Sequence, residues 1–118
     1  MPGHVLIVDS VSTNRIILKV KLGAASYGVE QAGSADEALA LARRSSPDCI
    51  FCDRDLPDGG AVRLIERLRS DPACRHIPVL VIASDRDPDA REAMLSAGAD
   101  AVMEKPLDEA ILMGRLRA

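Results

Sequence analysis

Three aspartates and one lysine stand at positions where they could bind a metal ion and a phosphate. Asp9 directly follows the apolar stretch VLIV, Asp53 and Asp55 follow DCIFC, and Lys105 follows DAVM after one intervening residue. Carboxylates are preferred ligands of Mg²⁺, which usually takes one or two of them together with waters and a phosphate. A carboxylate can also attack phosphorus in line while an ammonium group neutralises a phosphoryl oxygen. These residue types indicate phosphate chemistry if the fold brings them together.

Short apolar runs separated by helical patterns must place those four residues. The strong strand-like runs, residues 4–8, 48–52 and 79–83, do not alternate with polar residues, as is typical of strands covered on both faces. Weaker runs at residues 29–32 and 100–103 suit edge strands. The helical patterns cover residues 13–26, 35–44, 61–70, 88–97 and 107 onwards. Strand and helix alternate five times, which predicts an α/β domain with one doubly wound parallel sheet.

In such a sheet, ligands bind outside the carboxyl ends of the strands. Asp9, Asp53, Asp55 and Lys105 all follow predicted strands, so we expect them to meet at one edge of the sheet. Any one of them alone would more often be a solvated loop charge. Together, at the mouths of parallel strands, they favour a binding site.

Local signals support the limits of two helices. Ser34 precedes the second helical pattern and Glu37 follows three residues later, which predicts a capping box. Gly98 follows the fourth helical pattern and suits a C-terminal cap. On the third helix, Arg63, Arg67 and Arg69 predict a solvated face with Glu66 as a local partner.

Composition excludes several classes of protein. A chain of 118 residues fits a single domain. Its net charge of −3, with one Tyr and one Phe, supplies neither a basic surface nor stacking aromatics, so we expect no direct nucleic-acid binding. No apolar stretch approaches the roughly 18 residues that a membrane span needs, and no signal segment opens the chain. These features predict a cytoplasmic protein that is not bound to a membrane.

The three cysteines predict no thiol chemistry. An odd count argues against a disulfide framework. Cys49 and Cys52 lie in a predicted strand, where residues three apart point to opposite faces of the sheet. We therefore expect buried, inert thiols instead of a redox or zinc motif.

Four segments resemble the receiver domain of two-component response regulators. They are VLIVDS followed by Asn14 and Arg15, then PDCIFCDRDLPDGG, then HIPVLVIAS, and finally AGADAVMEKP. The resemblance covers essentially all of residues 1–118. It implies a flavodoxin-like fold with strand order 2-1-3-4-5 and helices on both faces.

The resemblance also implies roles for individual residues. Asp53 is the implied phosphoacceptor, and Asp9, Asp53 and the backbone carbonyl of Asp55 are the implied Mg²⁺ ligands. Lys105 is implied to contact the phosphoryl group, before a cis peptide bond at Pro106. The phosphate would come from a sensor histidine kinase or a phosphotransfer protein. The face formed by the fourth helix, fifth strand and fifth helix would then contact an output domain or a partner protein. A second copy of the chain is one such partner, which would give a homodimer.

Three positions depart from the receiver pattern. Ser10 stands where the family has a second acid that binds the metal, so a weakened Mg²⁺ site is expected unless the side chain of Asp55 compensates. Ala83 stands where a Thr or Ser hydroxyl usually contacts the phosphoryl group, although a shift of one residue would give that role to Ser84. Val102 stands where an aromatic side chain usually completes the switch.

These departures leave three functions open. The first is a working receiver that is phosphorylated on Asp53. The second is a degenerate receiver that acts as a protein-interaction module without phosphorylation. The third is a hydrolase, because IFCDRD also resembles the opening motif of haloacid dehalogenase-type phosphatases. That third alternative needs a further acidic pair on another strand, which the sequence after Lys105 does not supply.

The details of DPACRHIPVLVIAS and LDEAILMGRLRA resemble the first receiver of PleD-type regulators, whose output is a diguanylate cyclase domain. By that likeness, residues 1–118 are the N-terminal part of a longer protein. The receiver itself is then no enzyme, and any cyclase activity would reside in an output domain.

Overall fold

A computed structural model describes residues 3–84, 87–105 and 113–116 of the chain. Its helices and strands follow the predicted order, with the limits β1 His4–Val8, α1 Ser12–Ala24, β2 Gly28–Ala32, α2 Ala35–Ser45, β3 Cys49–Asp53, α3 Gly60–Ser70, β4 Val79–Ala83, α4 Pro88–Ala97 and β5 Ala101–Glu104. Most of the predicted fifth helix, from residue 107, lies outside the described residues. Residues 113–116 are helical.

The five strands form one parallel sheet in the order β2-β1-β3-β4-β5. This confirms the predicted α/β fold, the strand order and the two weak runs as edge strands. The sheet separates two hydrophobic cores, one against α2, α3 and α4 and the other against α1 and residues 113–116. Cys52 belongs to the first core and Cys49 to the second, as expected for residues three apart on a strand. All three cysteines are buried, as expected, and burial raises the pKa of the Cys49 thiol to about 12, which disfavours its thiolate form.

The start of α2 is capped by two segments of the chain. The Ser34 hydroxyl accepts the N–H of Glu37, while the Glu37 carboxylate accepts the N–H of Gly33, one residue before the position expected in a capping box. From the loop after β3, the Asp58 carboxylate accepts the N–H groups of Ala35 (3.0 Å) and Asp36 (3.1 Å). Asp58 therefore ties the loop that carries the candidate site to the neighbouring helix.

We expect Asp58→Asn to lower the Tm at neutral pH. The hydrogen bond from Ala35 holds the pKa of Asp58 below its ordinary value, so its stabilising effect is present above the ordinary pKa of an aspartate. That effect is lost as pH falls through the lower pKa of the folded state. Thermal melts from pH 7 to pH 3 should show the wild type and the variant converging, whereas the exposed control Glu66→Gln should melt like wild type throughout. A constant gap between wild type and Asp58→Asn would contradict the charge-dependent cap.

Arg69 corrects the prediction of a solvated arginine face on α3. Its guanidinium donates to the backbone carbonyls of Gly98 (2.9 and 3.1 Å), Arg75 (3.0 Å) and Ile77 (2.7 Å). It also pairs with Asp100 at 3.0 Å, and Asp100 accepts the N–H of Val79. Arg69 thus joins α3, the loop before β4, the end of α4 and the start of β5. Gly98, at φ 117°, forms the predicted left-handed cap of α4.

The other two arginines of the predicted face are exposed, as expected, but they have other partners than Glu66. Arg67 pairs with Asp36 of α2 at 2.8 Å, and Arg63 donates to the backbone carbonyl of Asp58 at 2.6 Å. Arg67 therefore pairs with a residue 31 positions away and Arg63 with a carbonyl just before α3, and neither uses the partner that helix spacing suggested.

Candidate phosphoacceptor site

Asp9 and Asp53 lie side by side at the carboxyl edge of the sheet. β1 and β3 are neighbours, with Val8 opposite Cys52, so the next residue of each strand is an aspartate. Asp9 is 3% exposed and Asp53 is 9% exposed, and they are the two buried polar or charged side chains in the described part of the chain. A buried pair of carboxylates is costly unless a cation or hydrogen bonds compensate.

Lys105 supplies part of that compensation. Its backbone N–H donates to Ala83 at the end of β4, which places the side chain over the same edge of the sheet. Its Nζ then lies 3.2 Å from Oδ1 of Asp53. Burial still raises the pKa of Asp53, with the charge of Asp9 adding to the rise, while the hydrogen bond from Lys105 opposes it. When both are ionised, Asp9 and Asp53 carry two negative charges against the one positive charge of Lys105.

Asp9 is held by the turn into α1. Its Oδ1 accepts the N–H of Val11 at 2.8 Å, and its backbone N–H donates to Ala32 of β2. Arg15 donates from Nη1 to the backbone carbonyl of Asp9 at 2.6 Å. These bonds fix the carboxylate at the mouth of the sheet and leave it little freedom to turn away.

Asp55, unlike the two buried acids, has an exposed side chain. Its carboxylate is 65% exposed, and its Oδ1 lies 3.2 Å from Nε of Arg54. No three His, Cys, Asp or Glu side chains form a metal-ligand group among the residues that the structure describes. With its carboxylate paired to Arg54, compensation for Ser10 by the side chain of Asp55 stays a prediction. Ser10 itself is exposed at the end of β1.

The donor set nevertheless suits Mg²⁺. Asp9, Asp53 and the backbone carbonyl of Asp55 offer hard oxygen atoms, and the uncompensated charge beside Asp53 is one that a divalent cation would neutralise. Two carboxylates are within the number that Mg²⁺ commonly takes from a protein. The residues therefore fit the ion, with one carboxylate fewer than the receiver pattern has.

The positions of the usual switch contain small side chains. Ala83 is buried at the end of β4 and Ser84 is exposed, while Val102 is half-buried and packs against the core on the α4 side. The strand limits place Ala83 as the last residue of β4, as the preferred alignment predicted. Pro106, the candidate for a cis peptide bond, lies outside the described residues.

The family model for the response regulator receiver domain matches residues 5–117 of the sequence. The chain belongs to this family. Members of this family are regulatory domains of two-component systems, and membership favours the receiver interpretation over the phosphatase alternative. No helix in the described parts of this receiver is long and apolar enough to span a membrane.

Relatives and solved structures agree with this assignment. The receiver is 35% identical over 118 residues to response regulator PleD of Caulobacter vibrioides, covering all of this chain and 26% of that protein. It is 30% identical over 107 residues to the polar-differentiation response regulator DivK of Brucella anthropi, covering 91% of this chain and 87% of DivK. The chain thus spans about a quarter of the length of PleD.

Among solved structures, chemotaxis protein CheY4 of Vibrio cholerae superimposes with a TM-score of 0.91 at 26% identity, covering 99% of this chain and 98% of CheY4. The receiver domain of sensor histidine kinase PA1611 from Pseudomonas aeruginosa gives a TM-score of 0.91 at 23% identity, over 99% of this chain and 96% of that one. At that identity the second likeness concerns the fold alone. Its structure has a magnesium ion coordinated in the active site cleft.

We expect Ser10→Asp to tighten Mg²⁺ binding by about tenfold or more, since a third carboxylate would add charge and an oxygen ligand beside Asp9 and Asp53. Isothermal titration of Mg²⁺ into wild type and variant gives the two Kd values. Ser10→Asn is the control, because it has the size of aspartate and an amide oxygen in place of the carboxylate charge. Equal Kd values for wild type and Ser10→Asp would mean that residue 10 does not face the ion.

Proposed function

We propose that this receiver accepts a phosphoryl group on Asp53 from a phosphohistidine of a sensor histidine kinase or phosphotransfer protein. The observation that supports it best is the contact of Lys105 Nζ with Asp53 Oδ1 beside the buried Asp9. A buried acceptor with an adjacent ammonium group and a second acid for a metal ion provides the parts that in-line phosphoryl transfer needs.

In the proposed reaction, an oxygen of ionised Asp53 forms a bond to phosphorus while the bond from phosphorus to the imidazole nitrogen breaks. The imidazole leaves with that electron pair, and the phosphoryl group remains on Asp53 as an acyl phosphate. Lys105 neutralises a phosphoryl oxygen as charge develops. A Mg²⁺ ion held by Asp9, Asp53 and the carbonyl of Asp55 would neutralise further phosphoryl charge.

Acetyl phosphate with Mg²⁺ tests the proposal, because it can donate a phosphoryl group without a kinase. Intact-mass spectrometry should show the mass of one phosphoryl group added to wild type and none added to Asp53→Asn. The raised pKa of Asp53 means that its ionised form destabilises the fold at neutral pH, so Asp53→Asn should melt no lower than wild type. If the folded variant gains no mass, the loss of phosphorylation is due to the missing acceptor and not to unfolding. An equal mass gain in both proteins would refute Asp53 as the acceptor.

A phosphorylation-independent receiver is the second candidate. It is favoured by Ser10 at a ligand position, by Ala83 and Val102 at the switch positions, and by the absence of a three-ligand group in the described segments. No mass gain in wild type at millimolar Mg²⁺ would establish this candidate in place of the first.

The proposal extends to what the receiver regulates. We propose an output domain or protein partner that is engaged through α4, β5 and the helix predicted from residue 107, with homodimerisation as one form of that engagement. A place at the N-terminus of a longer protein and a diguanylate cyclase output remain predictions, because the likeness to PleD concerns the receiver part alone.

A further inference from the structure

A small cavity lies behind the two positions of the missing switch. Ala83 and Val102 form part of its wall, and Arg54, Asp87 and Arg91 line it as well. Its volume is about 110 Å³, which is room for a few water molecules. Ala83 and Val102 are smaller than the usual switch residues, and the cavity beside them lies between the carboxyl edge of the sheet and α4.

Arg54 connects this cavity to the acceptor site. It directly follows Asp53, and its side chain is 20% exposed. Its backbone is fixed on both sides, since its N–H donates to Ile82 and its carbonyl accepts the N–H of Ala61. With the backbone held, only the guanidinium can respond to a change at Asp53. It faces the exposed carboxylate of Asp55 at the rim, through Nε at 3.2 Å and Nη2 at 3.5 Å.

We propose that Arg54 senses the phosphoryl group on Asp53 in place of the hydroxyl that Ala83 lacks. This inference rests on the proposed function. The planar guanidinium has five donors and matches the oxygens of a phosphoryl group, which Lys105 contacts as a single point charge. A phosphoryl group brings additional negative charge and three acceptor oxygens next to Arg54. The Asp55 carboxylate is 65% exposed, which weakens its ion pair with Arg54, so the phosphoryl group displaces this carboxylate from the guanidinium.

The cavity lets this exchange reach the outer surface. When the guanidinium turns towards Asp53, it changes the cavity wall that it shares with α4 and β5. Across this wall, Arg91 of α4 donates from Nη1 to the backbone carbonyl of Val102 in β5 at 3.1 Å. Repacking around Arg54 therefore shifts the contact between α4 and β5. The exposed Ser84 offers no such link, because it lies outside the buried wall.

Beryllofluoride with Mg²⁺, a mimic of the phosphoryl group, tests the inference in ¹H–¹⁵N and ¹⁹F NMR spectra. In wild type we expect a bound ¹⁹F signal and shifts of the amides of α4 and β5, including Arg91 and Val102. In Arg54→Gln at saturating beryllofluoride, the bound ¹⁹F signal should persist through Asp53 and Lys105, but the α4 and β5 shifts should be lost. Arg63→Gln is the matched control, because it removes an exposed arginine of α3 and should shift like wild type.

Rescue separates a sensing role from a structural one. Adding Ala83→Thr to Arg54→Gln supplies the missing hydroxyl and should restore part of the α4 and β5 shifts. Equal shifts in Arg54→Gln and wild type would overturn the inference. Bound beryllofluoride in wild type without shifts of α4 and β5 would also overturn it. Either result would leave the phosphoacceptor proposal intact. A wild type without a bound ¹⁹F signal would overturn the proposed function, and the role of Arg54 with it.

Discussion

Replacing Lys105 by methionine is expected to slow phosphorylation of Asp53 by acetyl phosphate by about 10²-fold. Methionine has a similar length but no charge. The variant loses the ammonium group that lies 3.2 Å from Asp53 Oδ1 in a site of low exposure, where a charge acts more strongly than in water. The rate of mass gain by spectrometry, at fixed Mg²⁺ and acetyl phosphate, measures the effect. Lys19→Met, an exposed lysine on α1, should react at the wild-type rate.

The pH dependence of Lys105→Met divides this loss into two parts. In wild type the hydrogen bond from Lys105 lowers the pKa of Asp53 against burial and the charge of Asp9, so its removal should raise that pKa further. A protonated carboxyl is no nucleophile, and this part of the loss should recover as pH rises. The part caused by missing charge at the phosphoryl oxygen should remain at all pH values. A variant that reacts at the wild-type rate at neutral pH would contradict a role for Lys105.

The closeness of the residues at the candidate site could be predicted from the sequence, because it follows from the fold. Parallel strands end at one edge, so residues directly after buried apolar runs must be neighbours. This rule alone was enough to place Asp9, Asp53 and Lys105 at the same edge of the sheet. The rule does not say where an exposed side chain turns, and for that reason it could not place the Asp55 carboxylate against Arg54.

The limits of the five strands and of α1 to α4 were predicted to within two residues. The strand expected at residues 48–52 is Cys49–Asp53, and the carboxylate of Asp48 accepts the N–H of His4 just before β3 begins. The helix expected at residues 13–26 ends at Ala24, and Ser26 has a φ of 71°. Such ends depend on contacts and backbone angles that apolar periodicity does not encode.

The polar contacts that sequence reasoning missed are mainly those between residues far apart in the chain. Arg69 has the same spacing on α3 as ordinary surface residues, and the helical pattern gave no reason to separate it from Arg67. Its carbonyl acceptors lie in turns that come 6 to 29 residues later in the chain. One signal of this contact is present in the sequence, because both Gly98 and Asp100, which Arg69 contacts, lie in the turn between α4 and β5. Only the packed fold brings that turn to α3.

Arg69→Ala should therefore destabilise the receiver by about 3 kcal/mol, the sum expected when a charged donor to several carbonyls is removed. Three carbonyls and the Asp100 carboxylate lose their shared donor, and Asp100 keeps only its bond from Val79. Lysine cannot replace it, because a single ammonium group does not span acceptors on separate turns. Arg69→Lys should recover only a small part of the loss.

Urea unfolding at neutral pH, followed by circular dichroism, gives the free energy of unfolding of each variant. Arg67→Ala is the matched control, since Arg67 lies on the same helix but makes an exposed pair with Asp36 that contributes about 0–1 kcal/mol. The loss in Arg69→Ala should appear with little change in phosphorylation of Asp53 in the folded protein, because Arg69 lies at the opposite end of the sheet from the acceptor. Equal stabilities of Arg69→Ala and Arg67→Ala would show that the turns around Gly98 hold without the arginine.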